Sequence, residues 1–325
     1  MTKFGRQLLN FVSGFLLGGA TWICWSLLIN HRFVIAQISS SASEAPQFGF
    51  WQSVFLGAVQ GLTEFLPISS TAHLKAVPVA LGWGDPGVTF TAIIQLGSIA
   101  AVIWYFWGDL SKLLVGSWRA IQKQDLQAQE LRIFASILIG TVPIVICGLA
   151  LKAVYAEPGS LDNSWLRSMT TIALASIGMS LLLALSEFVG KHRRGYEQLA
   201  GYDAIVMGCA QCLALIPGVS RSGSTLTAGL FANLERSTAA RFSFLMGIPA
   251  ITLAGLVELQ DLLQSGLNQS QVMPVVVGGL SSALFSYLAI AWLIKFLQQR
   301  KTWVFVWYRL IFGILILVGI QFGRF

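Results

Sequence analysis

The chain has 325 residues, 55% of them hydrophobic and 11% charged, with a mean hydropathy of +0.71. That balance excludes a soluble globule and reads as an all-α, polytopic membrane protein. The net charge of +7 is small for this length and sits at the ends of apolar runs, so it reads as topology signal and not as a nucleic-acid surface.

The first apolar run, residues 8–29, follows Lys3 and Arg6. It is long for a signal peptide, so an uncleaved anchor with Met1 inside is expected. A Ser-rich linker covers 31–50, which gives an anchor-and-linker segment (1–49) and one membrane domain (50–325). Residues 51–66 are apolar but stop short of the roughly 20 residues a crossing needs. Residues 70–82 are short as well. Together they predict a re-entrant hairpin, tolerated only where protein buries it.

Between them lies Gln60-Gly61-Leu62-Thr63-Glu64-Phe65-Leu66-Pro67-Ile68-Ser69-Ser70-Thr71-Ala72-His73. Polar groups this dense at bilayer depth mark a site. Gln60 and Glu64, four apart, share a helix face. Pro67 breaks the helix and pushes Leu66 out of helical geometry. Ser69 or Ser70 can cap a second helix, on which Ser70 and His73 would share a face. A hydroxyl, an imidazole and a carboxylate so placed suit nucleophilic or acid–base chemistry.

Full spans are expected at 90–107, 133–151 and 169–189. A polar, basic loop with Lys112, Arg119 and Lys123 separates the first two, and Lys191-His192-Arg193-Arg194 follows the third. Both loops read as cytoplasmic. The loop at 152–167, with balanced charges, reads as outside. Residues 203–216 are again short and apolar and end at Pro217-Gly218. Spans follow at 242–259, 272–294 and 303–322, with the loop near Glu258 and Asp261 outside and Lys295, Arg300 and Lys301 inside. Cys24, Cys147, Cys209 and Cys212 lie in apolar stretches and imply no disulfide framework.

Offset by 151 positions, Gly57, Gln60, Leu62 and Ser69 fall on Gly208, Gln211, Leu213 and Ser220. Three crossings separate the copies, so the second hairpin is expected to enter from the opposite face, as in an inverted-topology repeat. The second break reads Pro217-Gly218-Val219-Ser220-Arg221-Ser222-Gly223-Ser224-Thr225. Its glycines, including Gly223, let backbone approach a ligand, and N–H groups at a helix start bind anions. Arg221 adds a bidentate fork suited to phosphate, and Ser220, Ser222, Ser224 and Thr225 supply further donors.

The two motifs together resemble those of the undecaprenyl-diphosphate phosphatase family of bacterial inner membranes, the family linked to bacitracin resistance. The resemblance covers roughly residues 50–322. The first motif has an amide, Gln60, where the family often carries a second carboxylate. The resemblance implies hydrolysis of undecaprenyl diphosphate to the monophosphate, recycling a lipid carrier for peptidoglycan and other envelope glycans, at a site open to the periplasm and supported by divalent metal. It places Glu64, Ser70, His73 and Arg221 in the catalytic set, with Ser220 and Thr225 as phosphate contacts. Ser69, Thr71, Ser222, Gly223 and Ser224 complete the expected binding set. Ser70 is the candidate nucleophile with His73 as proton shuttle; the reverse assignment, with His73 as nucleophile, stays open. Glu64 would orient His73 or hold Mg²⁺ or Ca²⁺, and Gln60 would position Glu64 or a water. The expected partners are the polyprenyl diphosphate and the bilayer, with a homo-oligomer left open. Broken helices in an inverted repeat also suit a secondary transporter or flippase, but a carrier has no use for Ser70 beside His73.

Overall fold

The computed structural model describes residues 48–155, 164–265 and 269–324. The expected anchor at 8–29, and Glu157 and Asp162 of the expected outer loop, lie outside the described residues. Among the described residues eleven α-helices follow in chain order: α1 (Phe50–Phe65), α2 (Ser70–Ala80), α3 (Gly87–Tyr105), α4 (Trp107–Gln122), α5 (Gln129–Val154), α6 (Met169–Val189), α7 (Gly201–Cys212), α8 (Arg221–Phe231), α9 (Arg236–Ser265), α10 (Gln269–Gln299) and α11 (Trp303–Gln321). Among the described residues there is no strand, only an isolated bridge between Arg194 and Leu234. Among the described residues five helices are long and apolar enough to cross a membrane, or six spans if α3 and α4, bent by 66°, count as one broken span.

The outward faces are apolar: Trp104, Leu149, Phe188, Leu280 and Leu315 are exposed. A surface like this suits lipid and not water. Hydroxyls inside bind helix to helix, as small polar residues do in membranes. Ser282 and Ser286 on α10 each bond Ser98 on α3 at 2.8 Å, and Ser180 on α6 donates to Val306 O on α11 at 2.7 Å.

The expected basic loop after the first span is instead α4. Its charges lie on a helix whose other face, Leu113, Ser117 and Ala120, is buried. A four- and three-residue spacing of this kind is helical periodicity, and it outweighs the charges that suggested a loop. A Cβ at Gly116 would lie 2.6 Å from Glu130 Cγ on α5. The expected spans 133–151, 169–189, 242–259, 272–294 and 303–322 correspond to α5, α6, α9, α10 and α11, whereas the one expected at 90–107 runs across the bend between α3 and α4.

Helix, break, helix occurs at both motif positions, and the surroundings of the two are alike in packing. α10 packs along α1 and α3, as α5 packs along α7 and α9. A Cβ at Gly57 would lie 2.3 Å from Gly278 O, and one at its counterpart Gly208 would lie 2.5 Å from Gly140 O; both contacts are close backbone crossings that only glycine permits. The second hairpin is tied down at its start, where Arg194 grips Asp203 with two bonds of 2.8 and 2.7 Å. That paired carboxylate raises the Arg194 pKa above its ordinary value.

Candidate active site

α1 delivers Gln60 and Glu64 on one buried face, and Gln60 Nε2 donates to Glu64 Oε2 at 3.0 Å. The helix then stops as the sequence requires: Leu66, before Pro67, is extended at φ −69°, ψ 143°. Ser69 turns the chain at φ 74° and caps α2 by accepting from the Ala72 N–H at 3.4 Å. A positive φ is costly for a residue with a Cβ, and such strain clusters at functional sites. Its consequence is that Ser70 becomes the first residue of α2, and its Oγ donates to Glu64 Oε2 at 2.7 Å.

The second break repeats this chain path. Ser220 turns at φ 73° and caps α8 through the Gly223 N–H at 3.1 Å. Arg221 therefore stands where Ser70 stands in the first copy, and its Nη2 donates to Glu64 Oε1 at 3.3 Å. One buried carboxylate thus receives a hydroxyl from one break and a guanidinium from the other. The N-termini of α2 and α8 converge on it, an arrangement that favours an anion. A cavity of about 330 Å³ opens here, lined by Gln60, Glu64, Ser69, Ser70, Thr71, Ser220 and Arg221. Two buried polar atoms at this cavity have no partner: Arg221 Nε and Gln211 Oε1.

The remaining expected residues are placed differently. His73 does not pair with Ser70. Its ring stacks on Phe312 at 4.1 Å, with Nδ1 bonded to Ser69 O and Nε2 to Tyr308 Oη, both at 2.7 Å. A carbonyl only accepts, so Nδ1 carries the proton and Nε2 accepts from Tyr308. Sharing a helix face did not suffice, because the imidazole found nearer partners in its own turn and on α11. Ser222 donates to Glu64 O and Leu66 O, at 3.3 and 3.0 Å, and so joins the two breaks. Ser224 and Thr225 bond Arg221 O at 3.0 and 2.8 Å. These three hydroxyls and Gly223 do not line the cavity.

Arg309 escaped the sequence reading. Its side chain is fully buried, with Nη1 on Pro67 O at 2.9 Å and Nη2 on Gly218 O and Val219 O at 2.8 and 2.9 Å. One guanidinium clasps both breaks from behind. The available signal was a lone cation seven positions into the 303–322 span, since intramembrane charges are functional by default. Lys75, inside the 70–82 segment, carried the same signal and also lines the cavity.

Among the described residues no group of three or more His, Cys, Asp or Glu side chains could hold a metal ion. Both oxygens of Glu64 are engaged by Gln60, Ser70 and Arg221. These residues do not by themselves make a metal cage. Cys147, Cys209 and Cys212 are free thiols.

The family model described as "Bacitracin resistance protein BacA" matches residues 53–315. The undecaprenyl-diphosphatase of Synechocystis sp. is 56% identical over 324 residues, 98% of each chain. That of Trichormus variabilis is 58% identical over 324 residues, 99% of this chain and 98% of its own. That of Gloeobacter violaceus is 54% identical over 271 residues, 83% of this chain and 92% of its own. The matched stretch contains both breaks, the carboxylate between them and the helices that cross the bilayer, and this multi-pass membrane chain belongs to the BacA family.

Proposed function

We propose that the chain is an undecaprenyl-diphosphatase, hydrolysing undecaprenyl diphosphate to undecaprenyl phosphate and orthophosphate. The observation that carries this reading is the buried Glu64 carboxylate shared by Ser70 and Arg221 at two converging helix N-termini. Three relatives 54–58% identical, each an undecaprenyl-diphosphatase by name, support the substrate.

Ser70 Oγ attacks the terminal phosphorus as its proton passes to Glu64 Oε2. The anhydride P–O bond breaks, and the lipid monophosphate departs with the proton that Glu64 returns. Water then attacks the phosphoserine and loses its proton to Glu64; the P–Oγ bond breaks, Glu64 returns that proton to Ser70 Oγ, and orthophosphate leaves. Arg221 turns its unpartnered Nε and its fork to the phosphoryl oxygens and stabilises their charge. Gln60 holds Glu64 in place, and Ser69, Thr71 and Ser220 complete the polar wall of the cavity. His73 serves this mechanism as a positioning residue that fixes the Ser69 carbonyl behind Ser70. Mg²⁺ or Ca²⁺ would enter as a companion of the diphosphate and neutralise its charge, and Glu64 would ligate it only by giving up one of its present partners. No step above passes through the metal.

The site is assigned to the periplasmic side of the inner membrane, with the two hairpins entering from opposite faces. The support is that Arg167, from the 152–167 loop whose charge balance reads as outside, lines the same cavity. The Ser70–Glu64 contact favours an enzyme over a transporter, since a carrier has no use for an activated hydroxyl. Purified protein in detergent, with no sealed membrane, is expected to release phosphate from undecaprenyl diphosphate. Absence of release would sink the reading, and a parallel assay with chelator measures the metal's share.

A second measurement tests the role of Arg221. A Cβ at Gly247 on α9 would lie 2.0 Å from Arg221 Nη1 and 2.7 Å from its Cζ. Gly247→Ala forces the guanidinium aside, loosening its 3.3 Å bond to Glu64 but leaving the Ser70–Glu64 and Gln60–Glu64 bonds in place. Turnover is expected to fall by roughly 10- to 100-fold, as small misplacements of reacting groups do, while melting temperature changes little because the displaced group is a flexible side-chain end. Full turnover in that variant would separate Arg221 from catalysis.

A further inference from the structure

The catalytic description leaves one charged wall of the cavity unused. Ser70, Thr71, Leu74 and Lys75 all line it from α2, a stripe at helical spacing. Lys75 lies about 7.5 Å farther along the axis than Ser70, beside Asp85 and Arg167, which line the same cavity. Helical side chains lean toward the N-terminus, which carries its ammonium back over the turn that begins with Ser70.

The partners of Lys75 are modest. Its Nζ donates to Arg167 O at 2.7 Å and stands 3.7 Å from Asp85 Oδ2. The Asp85 side chain is 43% exposed and that of Lys75 20%, so the pair is partly solvated and at that distance contributes modestly. An ammonium on a flexible stem exchanges such partners easily.

The ligand's charge makes a demand here. A diphosphate monoester carries more negative charge than one arginine neutralises, and Arg221 already faces Glu64 at 3.3 Å. A burial of that kind needs further paired charge. A monophosphate seated at Ser70 and Arg221 would not extend to Lys75, whereas the second phosphoryl group of a diphosphate would.

Resting on the function proposed above, we infer that Lys75 is a second phosphate anchor. It leaves Arg167 O to hold the lipid-side phosphoryl group while Ser70 and Arg221 address the terminal one. In this role it sets the preference of the site for a diphosphate over a monophosphate.

The test is direct binding of inorganic pyrophosphate and of orthophosphate to the detergent-purified full chain by titration calorimetry, beside the phosphate-release assay. The parent protein is expected to bind pyrophosphate more tightly than orthophosphate. Lys75→Gln should weaken pyrophosphate about tenfold, the loss of one charge-assisted hydrogen bond, leave orthophosphate nearly unchanged, and raise KM for undecaprenyl diphosphate more than it lowers kcat. Lys75→Arg should restore most of the pyrophosphate affinity. Asp85→Asn, which removes the competing carboxylate, should tighten pyrophosphate and serves if the glutamine variant does not fold. Unchanged pyrophosphate affinity in Lys75→Gln, equal weakening of both anions, or weaker pyrophosphate binding in Asp85→Asn would overturn the anchor. Failure of the parent protein to release phosphate would instead overturn the enzymatic reading, and the anion-binding difference would still report on Lys75.

Discussion

Ser70→Ala is expected to lower phosphate release from undecaprenyl diphosphate by about 10³ or more, the scale on which enzymes lose turnover when their nucleophile is deleted. The variant should fold as well as the parent. Ser69, not Ser70, caps α2 through the Ala72 N–H, and the Ser70 hydroxyl makes one side-chain bond, to Glu64 Oε2 at 2.7 Å. Alanine is a better helix former than serine, and Glu64 keeps Gln60 and Arg221 as partners. Loss of activity at constant melting temperature therefore reads chemistry and not scaffold. Rapid-quench trapping should capture phosphoserine in the parent and none in the variant. A Ser70→Ala protein that retains a tenth or more of the parent rate would remove Ser70 as nucleophile and point to a water activated by Glu64.

Arg309→Met should fail in both respects. The parent guanidinium satisfies the carbonyls of Pro67, Gly218 and Val219 in a fully buried position. Methionine fills much of the volume but donates nothing. Each buried acceptor left unsatisfied costs about 1–3 kcal/mol, so the loss across three is about 3 kcal/mol or more. Thermal unfolding in detergent should show a clear drop in midpoint. The activity loss should exceed what the unfolded fraction explains, because Pro67 and Gly218 belong to the two breaks that bring Ser70 and Arg221 to one carboxylate. Arg309→Lys keeps the charge but not the planar fork, so it is expected to recover only part of either property. Wild-type stability and turnover in Arg309→Met would show that the breaks hold together without the clasp.

These two residues mark the limit of what could be read beforehand. Ser70, Glu64 and Arg221 were legible because polar groups inside apolar sequence are costly unless used, and because Pro67 and Pro217 announce the breaks. Arg309 carried the same signal but had no polar neighbours in the chain to draw attention. Its acceptors lie 91 and 242 positions away, and no local pattern encodes such a contact. His73 shows the converse. Its spacing from Ser70 was right for a pair, yet Phe312 and Tyr308 took the ring.

The sequence by itself determined the all-α membrane architecture, the order of the spans, both breaks and the correspondence between Ser69 and Ser220. Each follows from local physics: run length against bilayer thickness, the missing proline N–H, and the capping preference of serine. At α4 the helical spacing of Leu113, Ser117 and Ala120 was present but masked by the charges beside them, and its burial shows only in the packed structure. The sequence could not decide which hydroxyls face the cavity and which, like those of Ser222 and Thr225, turn to backbone. Those outcomes depend on which acceptor lies nearest once distant helices have packed. Only the tertiary structure sets that competition, and it is the tertiary structure that makes Glu64, and not His73, the partner of Ser70.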